Sequence, residues 1–250
     1  MERTLKLYAR QDLSMRKGKL AAQQGHSACA QLLNAMEDHG ASRYLNPERS
    51  GHFLDFLDNP LLDFNLVDGI EGLQAALTDP QNASQIIDRG LTEFGGVPTL
   101  TCAAEGLFPL DPHRFVPTAV NLIQARQWLV FSKEQPLRKD DAAVLAALGC
   151  LVQLRDLMVG DRETGLILSL ENPALKAWLT DGFGKIGMGI KTDKDLDELQ
   201  ADLTDASVQT NRLVMGKNTL LVIGPAFAED VATVMGPESD RYTTRLLSLL

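Results

Sequence analysis

Thr4 to Ala9 (TLKLYA) alternates in polarity and carries β-compatible residues, so the pattern predicts a strand. From Lys17 the period changes. Ala22, Gly25, Cys29, Leu32, Leu33 and Met36 recur at helical spacing and fall near one face. Ala21, Ala22, Gly25 and Ala28 are small, which lets this face lie close against a sheet. Lys19, Gln23 and His26 share a different face at i, i+4, i+7. Between strand and helix, Asp12-Leu-Ser14 is turn chemistry, with Ser14 or a neighbour as the cap. Asp38 to Pro47 reads as a break, and Phe53 to Leu62 as a helical turn or hairpin-like excursion. Phe64–Val67 reads as a strand, Gly69–Leu77 as a short amphipathic helix, and Asp79–Asn82 as a loop. Ser84–Asp88 is then a strand, Gly90–Pro98 a loop and Thr99–Ala104 another strand. This order predicts an α/β layer with helices on a small sheet.

A strand leading into a helix start places Lys17, Gly18 and Lys19 beside unpaired backbone N–H groups, a geometry that suits a phosphate or other anion. On spacing alone, a solvated first turn with Gln23 and His26 as a surface stripe accounts for the pattern equally well. Lysines in a first turn oppose the macrodipole, a local conflict more expected at a functional site.

The chain has 250 residues, 44% of them hydrophobic, enough to bury a core as one large domain or two small ones. Met1–Lys19 shows no signal peptide, and no apolar run is long enough to span a bilayer. Cys29, Cys102 and Cys150 lie in apolar contexts, which predicts reduced core thiols and a cytoplasmic protein. No metal-ligand spacing occurs, so no metal or other cofactor is expected. No membrane or DNA partner is expected either. A net charge of −9 argues against an extended nucleic-acid surface. The acid is uneven, since residues 1–20 hold six Lys and Arg against Glu2 and Asp12, which leaves room for a local basic patch.

KGKLAAQQGH, preceded by RQDLSM, resembles the helix-opening motif of peptidyl-tRNA hydrolases of the archaeal and eukaryotic type. That motif is an acidic-Leu turn followed by KGK-x-A-x-Q-x-x-H, and Lys17, Gly18, Lys19, Ala21, Gln23 and His26 match it. IIDRGLTEFGGVPTLT resembles a second segment of the same family, with Asp88, Gly90, Thr92 and Glu93 matching. The turn GGVPT departs from the family, so either Thr99 or Thr101 corresponds to its later threonine. The resemblance implies hydrolysis of the ester between a peptide and tRNA, with peptidyl-tRNA as the partner. It implies catalytic roles for Lys17, Asp88 and Thr92: Asp88 orienting or deprotonating water, Thr92 holding that water or donating to the carbonyl oxygen, and Lys17 stabilising negative charge. Lys19, Gln23, His26, Gly90, Thr99 and Thr101 become substrate-binding or lining residues. Without the resemblance, Asp88 is an acid ending a strand and Thr92 a loop residue. No GxSxG elbow or Cys–His signature suggests a covalent nucleophile.

Residues 128–153 align without a gap on residues 6–31 at a constant offset of 122. Asp195–Asp205 parallels Glu71–Asp79, and Asn218–Gly236 resembles the family's closing strand and helix. Residues 119–126 are helical in pattern. The expected architecture is α/β: two similar three-layer domains, 1–118 and 119–250, each a small mixed four-stranded sheet with helices on its faces. The second copy is degraded. Gly18, Lys19, Gln23 and His26 map to Asp140, Asp141, Leu145 and Leu148, and Asp88-Arg-Gly90 maps to Asn211-Arg-Leu213. Leucines at the former site must be buried, so that face is expected to be packed, against the first copy for example. The family includes homodimers, so the resemblance implies a pseudo-dimer within one chain, which would let it act as a monomer with one live site. Three alternatives stay open: an inactive binding protein on the same fold, a hydrolase of another acyl ester or amide, and a regulatory protein whose second domain recruits a partner.

Overall fold

The computed structural model describes residues 4–79, 83–89, 94–108, 125–181, 183–236 and 248–249. The chain begins β1 (Thr4–Arg10), α1 (Lys17–Asn34), β2 (Glu37–Asp38), β3 (Ser42–Leu45), α2 (Pro47–Asp58), β4 (Leu61–Val67), α3 (Gly69–Ala76), β5 (Ser84–Asp88) and β6 (Thr99–Glu105). It continues β7 (Ala125–Ser132), α4 (Lys139–Asp156), β8 (Met158–Asp161), β9 (Gly165–Ser169), α5 (Pro173–Asp181), β10 (Gly184–Ile190), α6 (Asp193–Asp205), β11 (Thr210–Met215) and β12 (Asn218–Phe227). Helix α7 (Ala228–Met235) and strand β13 (Ser248–Leu249) follow.

The fold is mixed α/β. One sheet runs β4-β1-β6-β5 and a second β11-β12-β7-β10-β13. Up to β12 the two halves repeat the same element order, and β10-β7-β12-β11 repeats β4-β1-β6-β5 strand for strand. One pair is parallel in each (β1 with β4, β7 with β10), and the other pairs of these eight strands are antiparallel. The second sheet has five strands rather than the expected four, because β13 adds to the edge of β10. A third sheet, β2-β3-β9-β8, draws strands from both halves, with β3 pairing antiparallel to β9.

The layers follow from burial. Leu5, Leu7, Leu129 and Phe131 share one core with Leu32 and Leu33 of α1 and Leu145 and Leu151 of α4. Helices α1 and α4 therefore lie against each other between the two sheets. Helix α3 covers the far face of the first sheet through Leu73 and Leu77 on Tyr8 and Ala103. Helix α6 covers the far face of the second through Leu196, Leu199 and Leu203 on Val130 and Leu221. Each of these two sheets is thus sandwiched, as central strands with both faces buried require.

Several expectations change. The break at 38–47 contains the end of β2 and all of β3; these two pair with each other, and β3 pairs with the distant β9. The excursion at 53–62 belongs mostly to α2, whose start carries ordinary signals: Pro47 at the first turn and Asn46 accepting from the Arg49 N–H. Strand β4 starts at Leu61, earlier than the pattern suggested. Ala125 and Arg126 are strand, not helix; the rest of 119–126, and the 118/119 boundary, lie outside the described residues. The Asn211 correspondence also shifts. Ala104 pairs with Leu7 as Val222 pairs with Leu129, and Ser84 and Asn211 pair with those two residues in turn. Asn211 therefore stands where Ser84 stands, and Met215 where Asp88 stands. Leu145 and Leu148 are buried, as their apolar character required.

Candidate active site

The turn after β1 is fastened before the helix begins. The Arg10 guanidinium donates to both Asp12 oxygens, Nε to Oδ1 at 3.0 Å and Nη2 to Oδ2 at 2.5 Å, and its Nη1 donates to the Leu100 carbonyl at 2.9 Å. The hydrogen bonds from the Arg10 guanidinium hold the Asp12 carboxyl below its usual range. The N-cap of α1 is Arg16, which supplies no side-chain cap, and the first turn has no acidic residue. Helix α4 opens instead with Asp140 and Asp141. Lys17 is exposed at the first residue of α1.

Helix α1 is buried almost all round from Gly18 to Asn34, so the alternative of a solvated surface stripe does not hold for Gln23. Most of the helix's polar side-chain atoms find local partners, Gln31 Oε1 being a buried exception. Gln24 donates to the Tyr8 carbonyl at 2.8 Å, and Gln31 to Ser84 Oγ and the Ala104 carbonyl at 3.0 Å each.

Gln23 is the buried polar residue of α1 that meets the Asp88 end of β5. Its Nε2 donates to Asp88 Oδ2 at 2.7 Å, and its Oε1 accepts from Thr101 Oγ1 at 2.9 Å. Lys19 Nζ reaches the same Asp88 oxygen at 2.5 Å, and the two side chains are only 15% and 11% exposed. Lys19 also lies 5.7 Å from the centre of the Phe94 ring. A helix residue, a strand-end carboxylate and a neighbouring-strand hydroxyl are thereby joined in one charge-assisted chain.

A β-bulge aims the hydroxyl. Strand β5 pairs Ile86 with Cys102 and then Ile87 with Leu100, so Thr101 is the extra residue. Its hydroxyl reaches Gln23 and also lies 3.2 Å from the Ile86 carbonyl. The Thr99 hydroxyl turns away to the Val97 carbonyl at 2.9 Å. Of the two threonines left open by the sequence, Thr101 joins the network. Strand β11 pairs with β12 without a bulge.

His26 is half-buried, its ring 5.2 Å from that of Phe183. Burial lowers its pKa well below the ordinary value, and the Lys185 and Lys19 charges push it further down. It is therefore neutral near pH 7, without the charge to serve as a cation. Cys102 touches the Gln23 carbonyl at 3.3 Å, and burial raises its thiol to about 12. Gly90 and Thr92 lie outside the described residues.

The structure thus brings Lys19, Gln23, Asp88 and Thr101 together and leaves Lys17 on the exposed turn beside them. Sequence reasoning missed the contribution of the second half. A Cβ on Gly187 of β10 would fall 2.5 Å from Gly18 Cα, so the first turn of α1 rests directly on that strand. The glycine-rich run GKIGMGI was the signal, since glycine inside a strand marks close backbone approach. Among the described residues, no cluster of three or more His, Cys, Asp or Glu is placed to hold a metal ion. No described helix is long and apolar enough to cross a membrane.

Residues 4–109 match the family model described as peptidyl-tRNA hydrolase PTH2. The matched span contains all four residues of the network and excludes the second half. Among curated proteins none matches the chain.

Proposed function

We propose that this chain, with a peptidyl-tRNA hydrolase PTH2 domain at residues 4–109, cleaves the ester between a peptide or N-blocked amino acid and tRNA at the Asp88 site. The observation that carries this reading is the Lys19–Asp88–Gln23–Thr101 chain at the mouth of an uncapped helix N-terminus.

Ester hydrolysis needs a water stripped of a proton, a place for the developing oxyanion, and a hold on the tRNA end. Asp88 takes the first role as the carboxylate that orients and deprotonates water. Lys19 and the Gln23 amide fix its position. Gln23 is itself oriented by Thr101, whose hydroxyl donates to the amide oxygen and leaves the amide N–H₂ to Asp88. Lys17 and the backbone N–H groups of the first turn supply positive potential for the oxyanion or a nearby phosphate. Thr92 and Gly90 complete the site as the family resemblance implies. His26, neutral and against Phe183, is a lining group.

The second half reads as a degenerate copy of the first, over about 119–250, in a cytoplasmic chain that needs no second subunit to complete its fold. The repeated element order and strand order support that reading. In it, Asp141, Leu145 and Met215 stand where Lys19, Gln23 and Asp88 stand, and an acidic helix opening repels anions. Only one site is then competent.

The net charge of −9 favours a second reading, a binding protein that kept the fold and lost turnover. Purified protein incubated with labelled N-blocked aminoacyl-tRNA separates the two. Release of free tRNA, abolished in Asp88→Ala and strongly reduced in Lys17→Ala, supports the hydrolase; tRNA binding without release supports the alternative.

A further inference from the structure

Where β1 and β4 pair Leu5 with Leu62, β7 and β10 pair Gln127 with Lys185. A polar pair thus replaces an apolar one where α1 crosses the second sheet. The Lys185 ammonium is hydrogen-bonded to Gln127 Oε1 and lies over the rings of Trp178 at 4.4 Å and Phe183 at 4.9 Å. It also lies 3.6 Å from Cys29 Sγ of α1. Cys150 approaches from α4, its sulfur seated where Gly25 lacks a side chain: a Cβ there would fall 2.8 Å from Sγ. The two thiols are neighbours, and both are fully buried.

A half-buried ammonium packed on aromatic rings gains from an anion beside it, and a thiolate is the anion this cluster can make. Burial raises the Cys150 thiol, but the Cys29 hydrogen bond and the Lys185 charge outweigh it and bring it down to about 7. Burial and the neighbouring Cys150 push Cys29 well up, so within the pair Cys150 is the sulfur that gives up its proton first. A reactive thiolate beside a resolving thiol is the arrangement found in redox-sensing pairs. Lys185 and His26, both half-buried, form the side of the cluster nearest solvent.

We propose that Cys29 and Cys150 are an oxidation site that closes into a disulfide between α1 and α4 when the protein meets a hydroperoxide, with Lys185 stabilising the attacking thiolate. In the first step the Cys150 sulfur attacks one peroxide oxygen. An S–O bond forms, the O–O bond breaks, and the departing oxygen leaves as water or an alcohol after taking a proton, giving a sulfenic acid. The Cys29 sulfur then attacks the sulfenic sulfur. The S–S bond forms, the S–O bond breaks, and hydroxide leaves with the Cys29 proton as a second water. The two sulfurs lose two electrons to the peroxide. The product ties the helix that bears Lys19 and Gln23 to the second half.

The test is peptide mapping of the full chain after hydrogen peroxide, with alkylation under denaturing conditions and digestion without reductant. The expected result is a Cys29 peptide joined to a Cys150 peptide, two hydrogens lighter than their sum. It should revert with dithiothreitol and be absent from Cys29→Ser and Cys150→Ser, with Cys102 still alkylated. Complete alkylation of Cys29 and Cys150 at doses that already oxidise exposed methionines overturns the proposal, as does a sulfinic acid at Cys150 with no cross-link. Lys185→Met should slow cross-linking by about tenfold or more; an unchanged rate removes Lys185 from the mechanism.

Discussion

Gly187→Ala tests whether the second half positions the chemistry of the first. The added methyl would fall 2.5 Å from Gly18 Cα, 2.6 Å from its carbonyl oxygen and 2.8 Å from its carbonyl carbon. These are backbone atoms, so no rotamer change relieves the clash. Reaching an ordinary contact of 3.4 Å or more moves the first turn of α1 away from β10 by roughly 1 Å. Overpacking of this kind costs about 1–3 kcal/mol. For a chain of this size, that is a fall in Tm of roughly 2–12 °C. Lys17 and Lys19 ride on the displaced turn, and a 1 Å misplacement of a catalytic group costs up to about 100-fold in rate. The assay is single-turnover release of tRNA from N-blocked aminoacyl-tRNA at a temperature well below the variant's Tm, beside a thermal melt. The expected outcome is a 10- to 100-fold slower step in a protein that remains folded, with about that range set by the displacement. A variant with a full rate and an unchanged Tm would refute the inferred contact. A lowered Tm with a full rate would refute its link to catalysis.

Three other outcomes follow from the site. Gln23→Leu, which installs the residue found at position 145, removes the bond to Asp88 and leaves Thr101 only the Ile86 carbonyl among its partners here; turnover should fall by about 10- to 100-fold, the equivalent of 1–3 kcal/mol, in steady-state assays. Lys17→Ala should leave urea stability within about 0.5 kcal/mol, because the side chain is exposed, whereas Lys19→Met leaves a buried carboxylate without its ammonium and should cost about 3 kcal/mol or more; equal losses would contradict the pairing. His26 has a folded pKa below its ordinary 6.5, so the unfolded state binds the extra proton: the stability it contributes is full above 6.5 and declines as pH falls toward the folded value. Urea midpoints for wild type and His26→Phe should diverge between pH 7.5 and 5, and parallel pH profiles would count against this assignment.

What was legible in the sequence was local. The alternation of β1, the helical period from Lys17 and the Asp88 and Thr101 strands all lie where pattern placed them, because each is specified by a few consecutive residues. The pairing of β3 with β9 was not legible, since strands of four and five residues find each other across the whole chain. The motif named Lys17, Lys19, Gln23 and Asp88. Sequence spacing could not tell which lysine meets the carboxylate, because that depends on how α1 is rotated over β5. The choice of Thr101 over Thr99 rests on a bulge visible only in the β5–β6 register. On spacing alone Gln23 could as well have been a surface residue; it is interior, with Asp88 and Thr101 satisfying its amide. Met215 rather than Asn211 occupies the Asp88 place for the same reason, since register and not sequence similarity fixes the match.

The most direct test of the account is a rapid-quench comparison of wild type and Asp88→Asn on N-blocked aminoacyl-tRNA, with tRNA affinity measured at the same salt. If Asp88 is the base, the chemical step should fall by about 10²- to 10⁴-fold while affinity changes little. A variant that hydrolyses as fast as wild type, or one whose loss is entirely a loss of binding, would contradict it.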